Sequence, residues 1–214
     1  MTTTALRRNG GAAAAAAFTV GGQPAIPIEA EGFDMPAMAR KLWRPMLAMG
    51  LMAVMAGIVV GIVQASSSNA LHISQLAAWN PGLLFLGVGL LLSAVTFLLA
   101  VILGSLRDGG VNVQRALGAS ALILRRPLTG KLFPAAMMMG LMLLVAGLAI
   151  GFVQASRVAN DPTSAADIAA WVGPLRFAGI TLILSGVALA LLTIVKALRF
   201  QSDRIAQIDA ERRN

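Results

Sequence analysis

Apolar positions along the chain gather into four long runs, at about 42–63, 83–106, 132–153 and 175–198. A helix needs about 20 mainly apolar residues to cross the hydrocarbon core of a bilayer, and each run meets that length. None contains Asp or Glu, and charge occurs only near their ends, at Arg44, Arg176 and Lys196. Backbone groups in hydrocarbon find no water, so each run must satisfy them internally as a helix. The expected fold is an all-α membrane protein with four transmembrane helices.

Shorter patterned segments flank the runs. Asp34 can cap a short helix with Pro36 in its first turn. In that segment Phe33, Met38, Leu42 and Trp43 supply apolar contacts, while Arg40, Lys41 and Arg44 supply charge. An interfacial helix leading into the membrane is predicted there. Two short outer loops are expected at about 65–81 and 155–174; in the second, Ser164 and Asp167 have capping-box spacing. They predict one or two helical turns ending at Trp171, with a counterpart ending at Trp79. Trp43, Trp79 and Trp171 are the candidate anchors at headgroup depth.

The pattern repeats. Lys41 begins KLWRPMLAMGLMAVMAGIVVGIVQAS, and Lys131 begins KLFPAAMMMGLMLLVAGLAIGFVQAS; 13 of these 26 aligned positions are identical. Gly50, Gly57 and Gly61 match Gly140, Gly147 and Gly151, and Gln64 matches Gln154. After a two-residue insertion, Trp79, Phe85, Gly87, Ser93 and Arg107 match Trp171, Phe177, Gly179, Ser185 and Arg199. Apolar similarity alone would not keep Lys, Gln, Trp, Ser and Arg in one order at nearly constant offset. The runs are therefore expected to form two tandem helical hairpins. Each hairpin crosses twice, so the copies share one orientation, unlike the inverted repeats of many transporters.

This organisation divides the chain into a disordered N-terminal tail (1–33), a first hairpin with its interfacial helix (34–107), a connection (108–130), a second hairpin (131–199) and a C-terminal helix or tail (200–214). Residues 1–28 are low in complexity, with an alanine run at 12–17. Arg7 and Arg8 before it superficially suggest a targeting peptide, but no convincing cleavage site follows, and a cytoplasmic tail is the preferred reading. Fifteen of the 17 Lys and Arg residues lie before the first run, in the middle connection or at the C-terminal end. Only Arg157 and Arg176 fall on the other side. The positive-inside rule then places both termini and the connection in the cytoplasm, with a bacterial plasma (inner) membrane as the expected location.

Composition agrees. Apolar residues make up 57% of the 214 residues and charged residues 12%, against roughly 25% charged in soluble domains. The net charge of +8 sits beside apolar segments with no aromatic interleaving. It points to anionic headgroups at the cytoplasmic face rather than to nucleic acid. The chain has no Cys and no Tyr, and its single His is His72. Disulfides, thiolate metal sites and cysteine nucleophiles are thereby excluded, and no metal or cofactor is expected.

Three groups of residues could carry a function. Gly57 and Gly61 form a GxxxG pair extended by Ala53 and Ala65, Gly147 and Gly151 repeat it with Ala155, and Gly50 and Gly140 join them as helix-packing candidates. Small residues four apart let helices approach closely in lipid, either between subunits or within the bundle, where the first and third helices could meet. Met46, Met49, Met52 and Met55, with Met137, Met138, Met139 and Met142, could form a Cu(I) path, though adaptable packing is the simpler reading. Gln64, Gln154, Ser93 and Ser185 could line a polar seam, or the glutamines could pair across the repeat and the serines bond back to their own helices. No acidic or basic residue lies deep in the bilayer, as ion-coupled transport normally requires, and no nucleotide or triad motif is present. The sequence therefore favours a non-catalytic accessory, assembly or structural subunit that packs against other membrane proteins or copies of itself. A small oligomeric transporter or channel for a neutral solute is the alternative.

Overall fold

The computed structural model describes residues 18–20, 22–27, 35–125 and 127–213. Four long helices dominate: α1 (Met35–Ser66), α2 (Ala70–Ala116), α3 (Leu128–Arg157) and α4 (Pro162–Arg213). Each carries an apolar stretch long enough to span a membrane, with mean hydropathy of 2.4 to 2.7. The helices are longer than the apolar runs. At 1.5 Å per residue, a helix the length of α2 extends roughly 70 Å, well beyond a hydrocarbon core of about 30 Å.

The loops joining the helices within each pair are correspondingly small. Segments 65–81 and 155–174, expected as outer loops, contract to 67–69 and 158–161. Side-chain caps explain where the helices restart. Asn69 Oδ1 accepts from the backbone N–H groups of Leu71 (3.0 Å) and His72 (3.3 Å). Asp161 Oδ1 accepts from Ser164 N–H (3.1 Å) and from the Thr163 hydroxyl (2.8 Å), and Pro162 takes the first helical position, where its missing N–H costs nothing. The cap of α4 is thus Asp161, three residues before the predicted Ser164. Pro81 and Pro174 lie inside α2 and α4 rather than at loop ends. Likewise, residues 35–43 are the first turns of α1, continuous with the crossing rather than a separate interfacial helix.

A small sheet accompanies the helices. β1 (Phe18–Val20) pairs antiparallel with β2 (Gln23–Pro27), and β2 pairs antiparallel with β3 (Leu122–Leu124). Two of its strands lie in the stretch expected as a disordered tail; the rest of 1–33, apart from Gly22, lies outside the described residues. The third strand falls in the middle connection. Gly118, at φ +75°, ends α2, a left-handed position that glycine adopts without the Cβ penalty. Gln114 then ties the connection down. Its Nε2 donates to Leu122 O at 3.0 Å, and Leu122 N–H donates to its Oε1 at 2.9 Å. Val20, Ala25, Leu122 and Phe200 form the core beneath the sheet. N-terminal strands, middle connection and the start of the C-terminal extension therefore meet at one end of the bundle. Arg107, Lys131 and Arg199 mark this basic end; residues 67–69 and 158–161 mark the loop end.

The helices pack unequally. α2 lies against the other three, and α1 packs chiefly on α2. Only 11% of the most apolar stretch of α1 is buried, against 39% for α2. Two clusters hold the helices together. Ala39, Phe97, Ala100, Phe133, Met137 and Ala190 join all four nearer the basic end, and Leu141, Leu144 and Ile183 continue the core along α3 and α4.

Candidate functional site

The glycine faces turn inward. A Cβ on Gly50 would lie 2.9 Å from Leu91 N, and one on Gly140 would lie 2.6 Å from Gly179 O. Those are approaches to backbone, which cannot swing aside. Across from them, a Cβ on Gly87 would meet Val54 N at 2.8 Å, and one on Gly179 would meet Leu144 Cγ at 2.9 Å. Each hairpin thus closes through its own glycines, α1 on α2 and α3 on α4. The first and third helices do not use these faces to meet each other.

Aligned positions make aligned contacts. Gly50 faces Leu91 as Gly140 faces Ile183, and Gly87 faces Val54 as Gly179 faces Leu144. Phe85 and Phe177, which are equivalent, touch each other edge-to-face with centroids 5.3 Å apart. One pair breaks the pattern. Gly57 faces Leu84, whereas Gly147 faces Arg176, which stands where Leu84 would be repeated.

Arg176 is only 6% exposed. Its Nη2 donates to Ala78 O of α2 (3.4 Å) and to Gly147 O of α3 (3.3 Å), so α4 reaches both neighbouring helices through one guanidinium. Its Nε is buried without a partner, and so is Asn80 Oδ1 on α2. Glycines leave room for the head: a Cβ on Gly82 or on Gly151 would lie 2.8 Å from Nη2. On sequence, Arg176 is only a cation near a helix end. The signal that could have singled it out is the mismatch with Leu84 in an otherwise matched helix.

The polar candidates do not converge. Ser93 is fully buried and donates to Gly89 O at 2.8 Å, while Ser185 is exposed and donates to Thr181 O at 2.8 Å. Both make the back-bond that hydroxyls in helices commonly make. No hydrogen bond joins Gln64 to Gln154, and α2 lies against both helices that carry them. Within one chain the four residues share no seam. The tryptophans also differ: Trp43 packs on the core with Arg44 over its ring at 5.3 Å, Trp79 stacks on Phe152 at 5.1 Å, and Trp171 is 79% exposed.

Most of the methionines point outward. Met49, Met52 and Met55 on α1, and Met138, Met139 and Met142 on α3, are all exposed, whereas Met46 and Met137 face the core.

A cavity of about 110 Å³ lies at the basic end, between the helices and the sheet. Leu103, Ile123, Phe133 and Phe200 form much of its wall, with Arg107 as its charged lining residue among the described ones. No segment of the sequence announces it, because its walls come from α1, α2, β3, α3 and α4 together.

No family model matches the chain, and neither does any curated protein or solved structure.

Proposed function

We propose that this membrane protein is a non-catalytic subunit that packs against other membrane proteins, built as two same-way-up copies of one helical hairpin. The outward methionine faces carry the reading. Met49 and Met52 align with Met139 and Met142, so both copies present unbranched, polarisable side chains on the first helix of the hairpin. Such side chains adapt to varied partner surfaces. The small buried fraction of α1 gives a partner room to dock. Support for the duplication comes from the aligned glycine contacts and from the touching equivalent rings of Phe85 and Phe177. The Lys and Arg content of the basic end, which gathers both terminal segments and the middle connection, supports a cytoplasmic position for it.

Photo-crosslinking amino acids at Met52 and Met142 in native membranes test the docking. The expected result is a discrete adduct of defined mass, with another membrane protein or with a second copy. Lipid adducts alone, on a protein that runs as a monomer after mild extraction, would overturn it.

A further inference from the structure

The two hairpins meet head to tail. α2 of the first packs on α3 and α4 of the second, but α4 makes no comparable contact with α1. A closed pair of hairpins related by a twofold axis would have both contacts. The internal contact is therefore heterologous and used once, and its two halves are left over at the ends of the row. One is the face of α4 that aligns with the packed face of α2. The other is the face of the first hairpin that aligns with the packed face of the second. Only 11% of the most apolar stretch of α1 is buried, against 33% for its counterpart α3.

Residues buried by the internal contact have exposed counterparts. On α2, Gly89, Ser93, Thr96 and Ala100 are buried, whereas the aligned Thr181, Ser185, Ala188 and Leu192 of α4 are exposed. On the other side, Leu141 and Ala190 are buried, whereas the aligned Leu51 and Leu98 are exposed. Trp79 stacks on Phe152 across the internal contact at 5.1 Å. Its counterpart Trp171 is 79% exposed, and so is 63% of Ile62, which aligns with Phe152. The steric fit also carries over. Gly89 faces Leu144, and the aligned pair is Thr181 and Val54, so bulk gained on α4 is shed on α1. Met49 and Met52, like the aligned Met139 and Met142, are exposed in both hairpins and belong to neither half.

We propose that a second copy of this chain completes the contact, with α4 of one copy on α1 and α2 of the next. This rests on the duplication proposed above, but it uses a surface distinct from the methionine faces. Same-way-up hairpins permit it, because copies inserted in one orientation can meet as the first hairpin meets the second and close into a ring about the membrane normal. Trp171 then covers Ile62 of the next copy, as Trp79 covers Phe152.

Two differently tagged full-length variants, Ile62→Cys and Trp171→Cys, co-expressed and treated in native membranes with a short bis-maleimide, provide the test; the chain has no other cysteine. The expected product carries both tags and has the mass of two chains, with little dimer from either variant alone. Ser185→Trp, which overfills the proposed contact, should lower that product about tenfold. Met142→Trp, on a face exposed in both hairpins, should leave it unchanged. Equal dimer from each single variant would overturn the head-to-tail order, and a mixed product indifferent to Ser185→Trp would overturn the α4 face. Adducts with other proteins only, or no adduct, would overturn the second copy as occupant, whereas docking at the methionine faces stands or falls separately on crosslinking at Met52 and Met142.

Discussion

At single positions, the distance from a missing Cβ to its nearest neighbour separates glycines that bring helices together from glycines that merely sit nearby. Gly140 faces a backbone carbonyl at 2.6 Å, and its neighbour Ile183 is fully buried. Gly140→Ala must push α3 and α4 apart, with an expected loss of about 1–3 kcal/mol, as for other overpacked sites. Gly61 meets nothing nearer than Asn80 Nδ2 at 3.5 Å, an ordinary contact, so Gly61→Ala should be neutral or slightly stabilising. Unfolding in mild detergent, followed side by side for the two variants, checks the contrast; equal losses would show that the seam does not depend on these approaches. Arg176 gives a second residue-scale prediction. Arg176→Ala removes the donor to Ala78 O and Gly147 O and leaves a void, an expected cost of about 2–4 kcal/mol. Arg176→Leu should cost less, within about 1.5 kcal/mol, because Leu84 already packs on Gly57 at the aligned position. If Leu proved as damaging as Ala, the guanidinium bonds rather than the packing would hold this corner.

Helices and strands differ in how visibly they were written. The four crossings were legible because spanning length is a property of each segment by itself. Their ends were less so. Pro81 and Pro174 look like loop boundaries, since the residue before proline resists the helical conformation, yet membrane helices tolerate interior prolines when neighbours satisfy the freed carbonyl. Asn69 and Asp161 carried the true start signals. The sheet was not legible at all. Its strands are three to five residues long, and the pairing of Ala25 with Leu124 joins residues far apart in sequence through contacts no local pattern encodes. Arg176 was hidden for the same reason, because its partners lie on α2 and α3. Two predictions belong to elements. Gln114→Ala leaves the N–H and C=O of Leu122 unpaired, so amide exchange at β3 should quicken by at least about tenfold while exchange in mid-α2 is unchanged. Asp161, in the loop ahead of α4, has its carboxyl held below the usual aspartate range, first by the Ser164 N–H and then by the Thr163 hydroxyl. A carboxylate stabilised in the folded state contributes above its unfolded pKa and loses that contribution as pH falls through its lowered folded value. Protection of the Ser164 amide should therefore persist through the ordinary aspartate range and fade only at more acidic pH. Asp161→Asn should remove the pH dependence.

At the scale of the whole molecule, the fold joins pieces that the sequence assigns to one side of the membrane. β1 and β2 come from the N-terminal segment, β3 from the middle connection, and Phe200 from the C-terminal extension, yet they share one core. That core can form only if all three segments lie at the same end, which requires each hairpin to cross an even number of times. The proposed direction rests on the charge count, in which Arg157 and Arg176 are the only basic residues assigned to the far side. The chain has no cysteine, so single thiols can be placed without background. Ser68 and Asn160 are exposed in the two short loops, and Ser120 is exposed beside the sheet. In intact cells, a membrane-impermeant maleimide should label Ser68→Cys and Asn160→Cys but not Ser120→Cys, which should react only after permeabilisation. The reverse pattern would leave the even crossing number standing and overturn the cytoplasmic assignment. Labelling of Ser68→Cys without Asn160→Cys would be more damaging, because two hairpins of opposite orientation could not bring β1, β2 and β3 into one sheet.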